Sequence, residues 1–469
     1  MLDDETTQST TRDGISASRA LQHRLSRRTL FKSAGGLGAG ALALKLSTKP
    51  AAAWGFDWRS IDPATEYDDE VATKWFELIF KLTHTTPGLS TLPAARAFGY
   101  LGVTLYEALV PGLPGADTLA GRLNDLPRTP GPRDRGYHWP TVANHALAQS
   151  ARELFRMTTE ENLAAINALE SSFADVLKIG VPYGIIKRSA ARGRRVADHI
   201  VEWAKTDGGH DGHLTNFPAD YAPPVGPGLW IPTPPGFSAA YQPYWGNNRP
   251  MVIDAVTAYD PGPPPAFSTE PGSAFYTEAK EVYDTVNSLT EEQRAIALFW
   301  NDALGPTVGA AAHWISIVNQ VLAGRDATLA EAAEAYARAG MAVSDALIVG
   351  FYTKYRYYLI RPVSYIQQHI DAAWGNPLPV GTPPFPEYVS THSIATRAFA
   401  ETMYHVFGDV SFTDHTHDSI GLAPRTFNSW SGMAEETSIS RLYGGIHFRA
   451  ALKAGLEQGH FIGQAVSAL

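Results

Sequence analysis

The chain has 469 residues, 44% of them hydrophobic and 18% charged, enough apolar material for a large buried core. Its formal net charge of −9 argues against nucleic acid as a partner. The absence of cysteine excludes disulfides, thiolate metal sites and cysteine nucleophiles.

Residues 1–53 read as an export leader. Ser26-Arg27-Arg28-Thr29-Leu30-Phe31-Lys32 is a twin-arginine pattern with Leu and Phe in swapped order. A Gly/Ala-rich run follows from Ser33 to Leu44, then Ala51-Ala52-Ala53 as a small-residue cleavage site. Lys45 and Lys49 between them suit the twin-arginine route, which carries folded proteins. The mature chain is therefore expected in the periplasm or outside the cell. The leader holds eight Lys/Arg against four Asp/Glu, so its loss leaves the remainder more acidic still. No later window approaches about 18 consecutive apolar residues, and no membrane span is expected after cleavage.

Residues 54–206 form an N-terminal helical part. Apolar residues recur at Val71, Trp75, Phe76, Leu78, Ile79 and Leu82, one face of a helix over 70–83. Ser90 and Thr91 before Pro93 open a second helix, to Leu109. Further helices fit 142–157, 160–177 and 185–205. The last carries Lys187, Arg188, Arg192, Arg194 and Arg195, read as a solvated basic face rather than an anion site.

Composition then changes. Residues 207–272 hold a Pro/Gly/aromatic-rich stretch, with 14 of the 33 prolines between Pro218 and Pro271. Proline removes amide donors and fixes φ, so this is a long loop, and its aromatic content suggests a lid packed on the body.

The C-terminal helical part, 273–469, opens near Ser273. Thr290-Glu291-Glu292-Gln293 is a capping box. Helices follow over 310–323 and from Thr328 to about Ile360, where Pro362 stops the run. Another spans Ser390 to Gly408, and a last one starts near Ile446. The predicted fold is all-α, a large helical bundle with a long loop insertion.

Three motifs in this part carry chemistry. Lys354 and Arg361, seven residues apart on one helical pattern, leave the same face. Ser390-Thr391-His392 stands where loop becomes helix, which suits an anion. Arg441 and His447 are six apart, and Gly444-Gly445 between them breaks the helix so that both can enter one site. Each motif alone has a blander reading: a snorkelling pair, an ordinary N-cap, a core histidine. Asp414-His415-Thr416-His417-Asp418 could ligate a divalent metal, but without a second ligand pair it reads as a polar surface loop.

As an ordered set, the three motifs resemble the signature of the vanadium haloperoxidase and type-2 phosphatidate phosphatase superfamily. Asp302 and Pro384-Phe385-Pro386-Glu387-Tyr388 are similar to the soluble haloperoxidase branch. The resemblance implies that Lys354, Arg361, Ser390, Thr391 and Arg441 hold the oxygens of vanadate or phosphate. It further implies that His447 is the ligand of vanadium, that His392 works as acid and base, that Lys354 polarises bound oxygen, and that Asp302 supports Arg441. Phe351 and Phe385 would line the halide side. The substrates would be hydrogen peroxide and a halide.

Three residues depart from the pattern: Thr391 for glycine, Val389 for proline, and Ala451 where an aspartate often orients the histidine. The last leaves His447 without an expected carboxylate partner and weakens the alternative of an acid phosphatase acting on a phosphate monoester through a phosphohistidine. A third alternative is an oxyanion binder impaired in catalysis. The sequence leaves a homo-oligomer open.

Overall fold

A computed structural model of the chain describes residues 62–129, 131, 136–302 and 309–469. The leader motifs within residues 1–53 lie outside them. The described helices are α1 (Glu70–Thr85), α2 (Thr91–Leu109), α3 (Trp139–Leu154), α4 (Glu160–Leu177) and α5 (Tyr183–Ala204). After the proline-rich stretch come α6 (Ala274–Asn287), α7 (Glu291–Phe299), α8 (Ala310–Ala323) and α9 (Leu329–Tyr357). The site-bearing end contains α10 (Pro362–His369), α11 (Thr391–Phe407), α12 (Trp430–Tyr443) and α13 (Arg449–Ser467). A small hairpin, β1 (Phe412–Asp414) with β2 (Arg425–Phe427), pairs Thr413 opposite Thr426. The fold is helical, as predicted. Among the described residues no helix is long and apolar enough to cross a membrane.

Several starts follow from side-chain caps. Thr290 and Thr328 each form a capping box with the residue three positions on, Gln293 and Glu331. Ser273 and Ser390 accept the Tyr276 and Ser393 amides.

The buried axis of the bundle is α9, packed against α2 on one side and α11 and α13 on the other. Crossing at backbone distance requires small residues. On α13, a Cβ at Gly455, Gly459 or Gly463 would meet the carbonyls of Ser390, Ile394 and Ala398 at 2.8, 2.4 and 2.8 Å. This glycine stripe seats α13 on the first turns of α11. The Ser390 amide donates to Ala451 O at 3.1 Å, so the methyl side chain at position 451 belongs to the core while its carbonyl anchors the start of α11.

Three sequence readings need correction. Lys354 and Arg361 are not on one helix: α9 ends at Tyr357, Tyr358 is left-handed, and Arg361 is the residue before α10. The chain leaves the helix because its backbone bonds to the loop segment, with Trp230 N donating to Tyr358 O at 2.7 Å and Ile360 N to Gly228 O at 2.9 Å. Secondly, Arg192 on α5 is not solvated but buried, donating to the Glu107 and Ala108 carbonyls where α2 ends. Thirdly, 414–418 is not a surface loop throughout. His415 and Asp418 are exposed, but Asp414 and His417 are only 0% and 1% exposed.

The proline-rich stretch packs on the body through polar bonds as well as rings. Met251, Val252 and Ile253 donate their amides to the carboxylate of Asp345 on α9, at 2.6, 2.7 and 3.0 Å. The Tyr241 amide reaches Pro384 O at 2.9 Å, and its ring centroid lies 6.0 Å from those of both Phe351 and Phe385.

Candidate active site

The turn 385–390, the last turn of α9 and the break between α12 and α13 meet at one buried point. Lys354, fully buried, donates to the carbonyls of Pro386, Glu387 and Val389 at 3.0, 2.9 and 2.5 Å. All three ammonium hydrogens thus hold the turn that presents Ser390. Arg361 donates from Nε to Phe385 O and from Nη1 to Ile446 O, both at 2.8 Å, so it ties this turn to the α12–α13 break. The ring of Phe385 lies under both cations, 5.0 Å from Lys354 Nζ and 4.9 Å from the Arg361 guanidinium carbon.

Arg441, in the last turn of α12, donates from Nη1 to Trp300 O. Gly445 then takes φ of 68°, a conformation glycine adopts without strain, and swings His447 back toward Arg361. His447 Nε2 lies 3.4 Å from Arg361 Nη1, and its Nδ1 bonds to Glu387 Oε1 at 2.7 Å. The orienting carboxylate that Ala451 cannot supply comes from Glu387 instead. Sequence reasoning quoted Glu387 only as part of a motif and gave it no role. Its place beside His447 follows from the fold, since the two stand 60 positions apart.

His392, in the first turn of α11, places Nε2 at 3.2 Å from Asp302 Oδ2. Among the described residues Asp302 faces the ring nitrogens of His313, His392 and His417, and favours the charge of Arg441 only from further off. The expected direct partnership with Arg441 is not formed, because the histidines take both carboxylate oxygens. Thr391 is helical with a negative φ, so threonine in place of glycine strains nothing here. Room for its methyl comes from Gly350 on α9, where a Cβ would already be 3.5 Å from Thr391 Cγ2. Phe351 and Phe385 stack obliquely with centroids 5.1 Å apart, beside the cations.

The electrostatics show one crowded cationic site. Burial and Arg361 push the Lys354 ammonium well below its usual range, against the pull of Glu387. Burial lowers Arg361 to about 9 and Arg441 to about 10. Burial, Arg361, Lys354, Arg441 and His392 together depress His447, which is therefore a neutral imidazole. His392 falls to about 4 through burial and Arg441. Burial pushes the Glu387 carboxyl upward, with Arg361 and Lys354 pulling it back. Among the described residues two nitrogens of the buried guanidiniums, Arg361 Nη2 and Arg441 Nε, have no partner. Two buried guanidiniums with donors to spare call for an anion.

Comparison with known proteins agrees. A family model for the second helical-bundle domain of the vanadium chloroperoxidase type matches residues 334–469. A solved bacterial vanadium-dependent iodoperoxidase is 35% identical, with a TM-score of 0.76 over 87% of this chain and 96% of that one. The chain belongs to the vanadium haloperoxidase superfamily. It is a haloperoxidase-like enzyme. Two bacterial vanadium-dependent chloroperoxidase structures share the superfamily fold at 16% identity. The apo form has a TM-score of 0.62 over 87% of this chain and 98% of that one, and the holo form 0.60 over 82% and 93%. No curated sequence matches this chain.

Proposed function

We propose that the chain is an exported vanadate-dependent haloperoxidase that oxidises halide with hydrogen peroxide. One observation carries the reading: Lys354, Arg361 and Arg441 are buried around a neutral His447 whose Nε2 is turned toward the guanidinium of Arg361. Such a set fits vanadate. The spare nitrogens of Arg361 and Arg441 can donate to its oxygens, the Ser390–Thr391 helix start favours negative charge, and His447 Nε2 can bond the vanadium. When bound, vanadate supplies Lewis-acid activation of peroxide.

The chain's own residues then have separable tasks. Glu387 accepts from His447 Nδ1 and so directs its lone pair at Nε2 inward. Lys354 fixes the 386–389 turn through its bonds to three carbonyls, and so places Ser390 at the edge of the site. His392, neutral and braced by Asp302, is placed to take and return a proton. Phe351, Phe385 and Tyr241 provide an apolar wall suited to a weakly hydrated halide.

A second reading, phosphate-ester hydrolysis with His447 as nucleophile, gains from Glu387, since a nucleophilic imidazole needs an orienting carboxylate. Phosphate fits the same cradle. One assay separates the two. Purified protein with and without orthovanadate is given peroxide with iodide or bromide, and separately an aryl phosphate. Halide oxidation only with vanadate supports the first reading. Phosphate release that vanadate inhibits supports the second, and vanadate binding without either supports an oxyanion binder.

A further inference from the structure

The buried residues of the 414–418 segment are not absorbed by the cradle. Asp302, His313 and His417 are 7%, 1% and 1% exposed and offer one carboxylate oxygen and two ring nitrogens, all within 4.8 Å of one another. We propose that these three side chains form a second site, for a divalent transition-metal ion, next to the oxyanion cradle.

His417 is the decisive residue. Among the described residues neither of its ring nitrogens has a hydrogen-bond partner, although the side chain is enclosed, and its Nε2 points toward Asp302 Oδ1 at 3.8 Å. An enclosed imidazole with nothing to bond is uncommon, and a missing ion is one of the standard explanations. His313 stands between two carboxylates, so an ion here has to replace the Nδ1 proton that it shares with Asp302. Its Nδ1 faces Asp302 Oδ1 at 2.8 Å, and its far nitrogen, Nε2, meets Asp414 Oδ2 at 2.7 Å. Asp414 is itself held, its Oδ1 accepting from the Thr416 amide at 2.9 Å, the Thr416 hydroxyl at 2.6 Å and Gln320 Nε2 at 3.1 Å. The order would therefore be ion, imidazole, anchored carboxylate.

Aromatic rings close the site. Trp300 stacks on His313 with centroids 4.7 Å apart, and Phe299 meets His417 edge-on at 5.1 Å. Two nitrogens and one oxygen without thiolate suit Zn2+, Co2+ or Fe2+ better than Mg2+ or Ca2+. Bonds of roughly 2.0–2.2 Å need the three ligand atoms to close in by less than about 1 Å. Asp302 would connect the two sites, because its other oxygen lies 3.2 Å from His392 Nε2. An ion bound here would fix the carboxylate that braces His392.

The test uses the full protein freed of metal and vanadate, titrated with Co2+ while visible absorption is recorded, then with Zn2+. Vanadium content is measured separately, so this result does not depend on the haloperoxidase reading. The expected result is one equivalent of Co2+ with ligand-field bands, displaced by Zn2+. His417→Gln should weaken binding at least 100-fold, and His415→Ala, an exposed neighbour, should bind as wild type does. Wild-type protein that takes up no Co2+, or a folded His417→Gln variant that binds it equally well, overturns the assignment.

Discussion

His447 and Glu387 form a buried pair, Nδ1 to Oε1 at 2.7 Å, and the same oxygen accepts the Phe448 amide at 2.9 Å. The second bond keeps the carboxylate from rotating away, so the imidazole is held in one orientation with Nε2 toward the cations. Glu387→Ala should weaken vanadate binding by about 10–100-fold, the usual effect of losing such a partner. Glu387→Gln keeps an acceptor and should lose less. Equilibrium dialysis against vanadate measures both, and an alanine variant that binds like wild type would remove Glu387 from the site.

Arg361 and Arg441 each carry a buried nitrogen with no partner among the described residues. Replacing either by alanine should lower vanadate affinity by about 100-fold, ~3 kcal/mol. Arg195→Ala, on the exposed face of α5, should have no effect. Comparable losses in all three would mean that binding is diffuse electrostatic attraction rather than a built cradle.

How much of this was legible beforehand depended on distance along the chain. The start of α11 could be read because Ser390 caps it locally, and α8 because its apolar run is bounded on both sides. Arg361 was placed on the wrong element, since the bonds that end α9 come from Gly228 and Trp230, far away in sequence. Glu387 and His313 gave no sign of their roles, as a carboxylate or a lone histidine acquires one only from what the fold sets beside it. Helix α12 escaped notice because its buried face is mostly small or polar, with Ala434, Thr437, Ser438 and Ser440 among its buried residues.

Asp345 accepts three successive amides from the loop segment. Asp345→Ala leaves those donors buried without an acceptor, and stability should fall by about 2–4 kcal/mol. Thermal denaturation reads the loss. Limited proteolysis should show new cleavage within 218–271, and an unchanged digestion pattern would contradict the stitching role.

Glu170 gives a pH dependence whose sign can be stated. Burial would raise its carboxyl, but bonds from His145 and Arg152 hold it down at about 2, against 4.5 for an ordinary glutamate. The group therefore contributes stability that is fully present above about pH 4.5 and is lost as pH falls toward 2. The contribution is on the order of 2 kcal/mol after allowance for partial exposure. Glu170→Gln should melt lower than wild type at pH 6, and the gap should narrow at pH 3 and close only as pH falls to about 2. A gap at pH 3 as wide as at pH 6 would assign the effect to packing.

The most direct test of the central claim is vanadium anomalous diffraction from a crystal of the mature protein soaked in orthovanadate. The account predicts a single strong peak at bonding distance from His447 Nε2, flanked by Arg361 and Arg441. A peak confined to another place, such as the basic helix α5, or none at all, would contradict it.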